Sequence, residues 1–417
     1  MTDIPVHRVR TSCRACGASR LSRFLDLGDQ PLANAFLRSP DQFATESRFP
    51  LGLYRCGGCH LVQLCDVIDP KVLFRNYLYV TGTSDTIAGH NARYAATVVA
   101  RLKLGAAHRV VEVASNDGSL LKHFRDHGVK TLGVEPARNI AARARADGLE
   151  TLERFFDERV ARSILASHGP AHAVVANNVL AHVDEPQDFL RGARRLLAPG
   201  GELIVEVPYL GHLLDRLEYD TVYHEHLSYF SIGSLTRLYD AVGLSITQVD
   251  DVPVHGGSVR VYATDADSAS AHAPAVLARI ESEHARGLQQ DACYAQFASR
   301  VASQRRNLQR LLSSLQREGA TLAAYGAPAK GNTLLNYCGI DTATLPYTVD
   351  KNAMKVGLYT PGTHVPVLPV STVLERRPDY LVILAWNFAT EIIRQQAEYS
   401  RRGGRFIVPI PEPMVVS

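Results

Sequence analysis

The sequence predicts an α/β protein in which a small metal-binding unit precedes a doubly wound parallel sheet and a second α/β unit. Three observations carry that prediction. Short apolar runs alternate with helical patterns between residues 110 and 207, and strand–helix alternation builds parallel sheets covered by helices. Two C-x-x-C pairs, Cys13/Cys16 and Cys56/Cys59, come before that region. Another strand–turn–helix signature, 321–333, comes after it, beyond a long helical stretch.

A chain of 417 residues has room for roughly two to four domains. The expected units are 1–80, 81–265 and 266–417. Hydrophobic residues make up 46% of the chain, enough for packed cores. Lysine plus arginine (45) nearly balances aspartate plus glutamate (42), and the net charge of +3 leaves no electrostatic footprint for nucleic acid. No apolar run reaches the roughly 18 residues of a membrane span, and the first residues lack the apolar core of a signal peptide. A soluble cytoplasmic protein is expected, with no membrane partner and no obligate protein partner evident.

Seven cysteines occur, four of them in the two knuckles. In a reducing compartment that pattern favours metal over disulfides. Cys13, Cys16, Cys56 and Cys59 can present four thiolates to one tetrahedral ion. Such a closed site has no open position for chemistry, so one structural zinc is expected. Gly17, Gly57 and Gly58 allow turns that aim backbone amides at the sulfurs. The gap between the knuckles is long, and 26–50 is expected to loop out. His60 and Cys65 are read as packing residues. Beyond them, Tyr77 and Tyr79 share one face of an extended segment, with Gly82 as a hinge. They either pack between units or cover the neighbouring site with hydroxyls.

In the central unit a helix at 91–104 leads into the strand 110–113. Helices are expected at 120–127, 140–147, 158–168 and 234–242, strands at 173–176 and 203–207, and a hairpin-like pair at 245–252 and 258–264. Pro199-Gly200-Gly201 reads as the turn before a strand. The first strand ends in Ala114-Ser115-Asn116-Asp117-Gly118, and Leu121 opens a helix. Small residues let a ligand lie against backbone, and the helix N-terminus suits polar groups. A second strand ends in Glu135-Pro136, roughly 20 residues on, where such folds place an acid on ribose hydroxyls. Asn177 and Asn178 end another strand at the same carboxyl edge, where open α/β sheets bind ligands.

The turn lacks G-x-G-x-x-G, so a dinucleotide site is disfavoured. It is similar to the first motif of class I S-adenosylmethionine methyltransferases, E-x-G-x-x-x-G, with Ala114 where the first glycine belongs. An ordinary βα unit of another fold is the alternative.

The segment 219–230 holds Tyr223, His224, Glu225, His226 and Tyr229. At a carboxyl edge, a histidine there can act as base, the glutamate can orient or share its proton, and a tyrosine can hydrogen-bond a developing oxyanion. H-E-H lacks the i,i+4 pair of a metal helix, and a polar structural loop is the plainer alternative. His182, just past a strand, is a lower-ranked candidate.

In the third unit, helices at 275–288 and 294–316 connect to a strand at 321–325. Gly326-Ala327-Pro328-Ala329-Lys330-Gly331-Asn332 follows it and is not a P-loop, because Asn332 stands where the lysine belongs. Its amides can still cradle a diphosphate, with Lys330 as counter-charge; a packing turn is the alternative. Strands are expected at 345–352, 380–387 and 405–409, joined by a turn-rich 361–367. Trp386 can stack a base or belong to the core.

The motifs F-x-x-Y-x-Y-x-x-G, V-E-x-x-S-N-D-G, G-V-E-P, A-N-N-V-x-A-H and Y-H-E-H-x-S-Y-F follow the two knuckles in order. With them, the whole chain resembles the deoxysugar C-methyltransferases that act on nucleotide-linked 4-keto-6-deoxysugars, above all the C-3'-methyltransferases of branched nitro- and aminosugar pathways. The resemblance implies a zinc-binding N-terminal domain, a central class I (Rossmann-like) methyl-donor domain and a C-terminal Rossmann-like domain that helps hold the nucleotide sugar. It implies S-adenosylmethionine as methyl donor and a TDP-sugar as acceptor. Donor contacts are then expected at Gln63, Tyr79, Ala114, Ser115, Asn116, Asp117, Gly118, Leu121, Glu135, Pro136, Asn177 and Asn178. Acceptor contacts are expected at Tyr77, Tyr223, His226, Tyr229, Gly326, Lys330, Asn332, Lys351 and Trp386.

The expected reaction follows from the donor being an electrophile. Carbon becomes nucleophilic once the C3 proton beside the 4-keto group is lost. His226 or Glu225 removes it, with His226 ranked first because an imidazole titrates nearer working pH. Tyr223, with Tyr77 or His182, stabilises the enolate oxygen. The rival readings are an O- or N-methyltransferase on another small acceptor, a nucleic-acid methyltransferase, and a catalytically silent sugar-nucleotide-binding protein.

Overall fold

The computed structural model describes residues 6–75, 85–253, 257–268 and 272–416. Tyr77 and Tyr79 lie outside the described residues.

The central unit is a seven-stranded sheet in the order Leu244–Val252, Ser258–Asp265, Leu197–Pro208, Ala171–Asn177, Arg109–Val113, Lys130–Val134, Thr151–Leu152. All neighbours are parallel except those of Ser258–Asp265, which runs antiparallel to both flanking strands. Val110, Val111, Val174 and Val175 are fully buried, as expected where helices cover both faces of a parallel sheet. The chain starts in the middle of the sheet, builds to one edge, then returns to pair Ala171–Asn177 with Arg109–Val113. That reversal leaves a crevice at the carboxyl ends, the usual binding position in such sheets. Pro199-Gly200-Gly201 is not the turn before a strand. Leu197 already pairs with Ala171, and the three residues form an irregularity inside Leu197–Pro208.

The C-terminal unit repeats the plan. Its sheet runs Val367–Pro369, Thr348–Asp350, Leu322–Tyr325, Tyr380–Ile383, Arg405–Val408, Met414–Val416, with only the last strand antiparallel. Its reversal lies between Leu322–Tyr325 and Tyr380–Ile383. The strand expected over 380–387 stops at Ile383, and Trp386–Phe388 is a 3-10 turn. Two helices, Pro274–Ala285 and Asp291–Arg317, precede the sheet. The longer one buries Tyr294, Phe297, Val301, Leu308, Leu312 and Leu315 along one stripe, the spacing of an amphipathic helix.

In the N-terminal unit Leu21–Pro31 pairs with Arg48–Cys56, which pairs with Val62–Leu64. The insertion between the knuckles is expected to loop out from residue 26, yet its first residues, to Pro31, are strand. Leu25 and Leu27 are buried, and Phe24 lies 4.8 Å from Tyr294, ring centre to ring centre. Backbone pairing with Arg48–Cys56 holds this segment extended, and Phe24 beside it packs on the distant helix Asp291–Arg317. The fourth strand of this sheet is Ser228–Tyr229, lent by the central unit. One apolar cluster joins Leu51, Leu53 and Val62 to Leu213, Leu217, Phe297 and Leu308, so the three units share a core. Among the described residues no helix is long and apolar enough to cross a membrane.

Candidate active site

A cavity of about 820 Å³ opens where the two carboxyl edges meet. Residues of all three units line it: Asn34, Ala114, Glu135, His226 and Lys330 among them.

On the central sheet, the strand Arg109–Val113 ends in a backbone reversal. Ala114 has φ +53° and Asn116 φ +50°, left-handed values that cost a residue with a Cβ about 1–2 kcal/mol. The alanine takes the conformation expected of the motif's missing glycine. Glu135 pins the turn: one carboxylate oxygen accepts from the Asn116 amide at 2.9 Å, the other from the Ala137 amide at 2.7 Å. Burial raises the Glu135 carboxyl above its ordinary range, and these two amides counter it.

Around the turn, Ser115 Oγ, Glu112 Oε2, Asn177 Oδ1 and Asn178 Oδ1 are buried with no hydrogen-bond partner among the described residues. All four side chains belong to residues lining the cavity. A buried unpaired acceptor is costly, about 1–3 kcal/mol, unless a ligand satisfies it. Burial pushes Glu112 well above its ordinary range, reinforced by repulsion from Asp117 and Glu135. The wall is therefore rich in oxygens that suit a ligand carrying hydrogen-bond donors, such as hydroxyl and amino groups.

Several expected donor contacts are not part of this wall. The Asp117 carboxylate accepts from the Ser119 amide at 3.3 Å, at the start of the following helix. Gly118 sits at φ +75°, where a Cβ would come within 2.1 Å of Leu149 Cδ1. Leu121 packs with Ala144 and Leu149. Gln63 is buried in the N-terminal sheet, its Oε1 accepting from the Arg14 amide at 3.0 Å. By contrast Ala114, Ser115, Asn116, Glu135, Pro136, Asn177 and Asn178 all line the cavity. Glu112, His90, Asn91 and Glu206 line it too, and sequence reasoning misses them. The acid of the motif itself, Glu112, is legible in E-x-G-x-x-x-G; His90 arrives from a preceding helix, and no spacing rule reports that.

The loop that follows Leu210–Arg216 brings the reactive groups in. His226 Nδ1 lies 2.8 Å from the Thr221 carbonyl and Nε2 lies 2.9 Å from Tyr223 Oη. A carbonyl only accepts, so Nδ1 carries the proton and Nε2 presents its lone pair, to which the phenol donates. His182 meets the His226 ring edge-on at 4.8 Å between centres. Burial drives His182 down to about 4, so it is neutral near pH 7. Tyr223, His226 and His182 line the cavity. Glu225 is not part of its lining; it is 3% exposed and accepts from Asn34 Nδ2 at 2.6 Å. Tyr229 is likewise absent from the lining and is buried in the strand that pairs with Val62–Leu64.

The opposite wall belongs to the C-terminal unit. Asp350 accepts from the Ala327 amide at 2.7 Å and from the Asn352 amide at 2.7 Å. Lys330 Nζ donates to Asn387 Oδ1 at 2.9 Å and lies 4.5 Å over the Trp386 ring. Burial lowers Lys330, and the charges of Asp220 and Glu218 oppose that. Those acids are themselves raised by burial, Asp220 to about 6 and Glu218 to about 7. Lys355 Nζ donates to the Ala327 carbonyl at 2.7 Å, and both lysines line the cavity.

Four expected acceptor contacts have other places here. Trp386 is not part of the cavity lining: its indole N–H donates to buried Asp220 at 2.6 Å and its face supports Lys330. Lys351 is exposed and bonds Gln395, so Lys355 is the second lysine that the C-terminal unit gives the cavity. Asn332 is buried and ties the units together through the Ala33 carbonyl at 2.7 Å. Gly326, at φ +89°, is not part of the lining, and a Cβ there would come within 3.2 Å of Ala385 Cβ. Which of two lysines four apart reaches a cavity depends on the turn between them, and no periodicity states that.

In the N-terminal unit, the sulfurs of Cys13, Cys16, Cys56 and Cys59 lie within 4.8 Å of one another. The Cys13–Cys59 and Cys16–Cys56 separations are 3.4 and 3.6 Å, close to the edge of roughly 3.8 Å of a zinc tetrahedron with bonds of about 2.3 Å. The Gly58 amide donates to Cys56 Sγ at 3.3 Å. The four residues fit one structural zinc.

Family models match along the chain in order: a putative zinc binding domain over residues 13–74, a methyltransferase domain over 87–249, and a C-methyltransferase C-terminal domain over 253–411. The chain is 38% identical over 405 residues to the C-methyltransferase NovU of Streptomyces niveus, covering 97% of this chain and 96% of that one. It is 33% identical over 111 residues to a ubiquinone biosynthesis O-methyltransferase of Xanthomonas oryzae, covering 26% of this chain and 46% of the other. Among solved structures, the magnesium protoporphyrin IX methyltransferase of Synechocystis with bound SAM aligns at 16% identity over 43% of this chain and 82% of that chain, with TM-score 0.32.

Proposed function

The chain belongs to the S-adenosylmethionine-dependent C-methyltransferases, and on that basis we propose that it methylates carbon C3 of a TDP-linked 4-keto-6-deoxysugar. The observation that supports this reading is the composition of the cavity: an acceptor-rich wall, a two-lysine wall, and the Tyr223–His226 pair on the lining of the same space. A cationic donor suits the first wall. An anionic diphosphate suits the second, at the turn between the strand Leu322–Tyr325 and the helix Ala329–Cys338.

When bound, S-adenosylmethionine supplies an electrophilic methyl group on a cationic sulfur. Glu135, Asn177, Asn178, Ser115 and Glu112 would hold it by its hydroxyl and amino groups. Lys330 and Lys355 hold the diphosphate and set the sugar over His226. Tyr223 first turns its O–H from His226 Nε2 to the substrate carbonyl; the freed lone pair on Nε2 takes the C3 proton, and the electrons of that C–H bond pass into the carbonyl to make an enolate. The new imidazolium donates to Tyr223 Oη, whose own O–H donates to the enolate oxygen. The donor would supply its methyl group to the enolate carbon, the electron pair of the old bond remaining on sulfur. Holding both reactants at contact distance supplies much of the acceleration. Neutral His182 borders the pair without adding charge.

The test is turnover of TDP-4-keto-6-deoxysugars with labelled donor in deuterated water. A methyl group on carbon and solvent deuterium at C3 in the absence of donor are expected. Methyl on oxygen or nitrogen would replace this reading with the O- or N-transfer one, and donor binding without any transfer would refute the acceptor class.

A further inference from the structure

Arg14 stands between two of the metal-binding cysteines, Cys13 and Cys16, and its side chain is wholly buried. Its guanidinium reaches away from the knuckle. Nε donates to Asp184 Oδ1 at 3.0 Å, and Nη1 reaches both the Leu64 carbonyl and, at 3.3 Å, the Leu227 carbonyl. Leu227 directly follows His226. The same Leu227 carbonyl accepts from the Leu64 amide at 3.0 Å, and the Leu227 amide donates to the Ala181 carbonyl at 2.8 Å. Ala181 in turn precedes His182. Directly after Leu227, Ser228–Tyr229 becomes a strand of the N-terminal sheet. The backbone beside both imidazoles is thus tied to one buried cation that the metal knuckle presents.

We propose that Arg14 is a positioning residue: it couples the four-cysteine site to the 221–229 loop and holds His226 in register with Tyr223. Burying a guanidinium is expensive, and a fold needing only a closed zinc knuckle would place any small residue between its cysteines. Here the arginine ties three separate segments, at Leu64, Asp184 and Leu227, at one point. Zinc then sets the geometry of a loop in which it takes no chemical part.

This rests on the reading of His226 as the base, and the experiment separates the two. Zinc-loaded Arg14→Met and Arg14→Lys are compared with wild type and with His226→Asn. The readouts are zinc content, donor affinity by calorimetry, single-turnover methyl transfer, and amide exchange of peptides spanning 221–230 and 109–113. For Arg14→Met, one zinc per chain and unchanged donor affinity are expected. Methyl transfer falls on the order of 100-fold, the size of effect of misplacing a reacting group by about 1 Å. Exchange accelerates in 221–230 and not in 109–113. Arg14→Lys keeps a cation against Asp184 but spans fewer carbonyls, so it falls between. It carries the test should the methionine variant not fold. Zinc-loaded variants with wild-type transfer and exchange would overturn the proposal, as would joint loss of zinc and donor binding in both variants. Full turnover by His226→Asn would instead remove the base assignment.

Discussion

The two strand–turn–helix units that face each other across the cavity are built alike and charged oppositely. In each, the acid ending the second strand accepts from the turn after the first strand and from an amide just beyond itself. Glu135 does this for Asn116 and Ala137, Asp350 for Ala327 and Asn352. What surrounds the turns differs. The central turn is ringed by acceptors without partners among the described residues, those of Ser115, Glu112, Asn177 and Asn178. The C-terminal turn faces the cavity through Lys330 and Lys355. The same backbone device therefore serves opposite ligand charges, and side chains outside the turn decide which. The left-handed residue differs too. Gly326 takes φ +89° freely, whereas Ala114 takes φ +53° at a cost.

The largest expected effect lies on the loop between the walls. His226→Asn should lower kcat by about 10²–10⁴-fold, the usual worth of a general base, with donor affinity unchanged. Glu225→Gln should cost less, because that carboxylate is bound by Asn34 and is not part of the cavity lining. Next come the walls themselves. Glu135→Ala should weaken donor binding by about 10–100-fold, the value of a charged hydrogen bond, and leave the KM of the nucleotide sugar unchanged. Lys330→Met and Lys355→Met should do the reverse and flatten the salt dependence of that KM. Calorimetry of each ligand alone checks both, and effects that cross from one wall to the other would break the contrast.

Buried groups beside the two walls should also show opposite pH slopes in stability. An unfolded imidazole titrates near 6.5 and folded His182 at about 4. Between those values only the unfolded chain binds the proton, so stability falls as pH drops from 6.5 towards 4, by up to about 3 kcal/mol. For Asp220, which titrates at 3.8 unfolded and about 6 folded, only the folded chain holds the proton in that interval. Its stabilising contribution is present at low pH and is lost as pH rises from 3.8 to 6, again by up to about 3 kcal/mol. Urea unfolding across pH should lose the first slope in His182→Gln and the second in Asp220→Asn. The smallest effect is Ala114→Gly, which removes the left-handed penalty and should stabilise by at most about 1 kcal/mol, read as a rise in Tm.

What could be read from neighbouring residues was the chain's local grammar. Cys13, Cys16, Cys56 and Cys59 announced a four-thiolate site because C-x-x-C spacing alone lets two sulfurs share an ion. The alternating strands and helices announced parallel sheets, and the turn at Ala114–Gly118 with Glu135 announced a nucleoside-type ligand, since these signals lie within one βαβ unit. Folding in three dimensions settled what joins separate segments. It turned residues 26–31 from a loop into a strand by pairing them with Arg48–Cys56, sent Trp386 to Asp220, and put Lys355 in the cavity in place of Lys351. It also joined Ser228–Tyr229 to the N-terminal sheet and set Arg14 against Leu227. The physical reason is range. Turn chemistry, metal spacing and periodicity act over a few neighbouring residues. The desolvated contacts that place a side chain in one cavity or another form between segments that lie far apart along the chain.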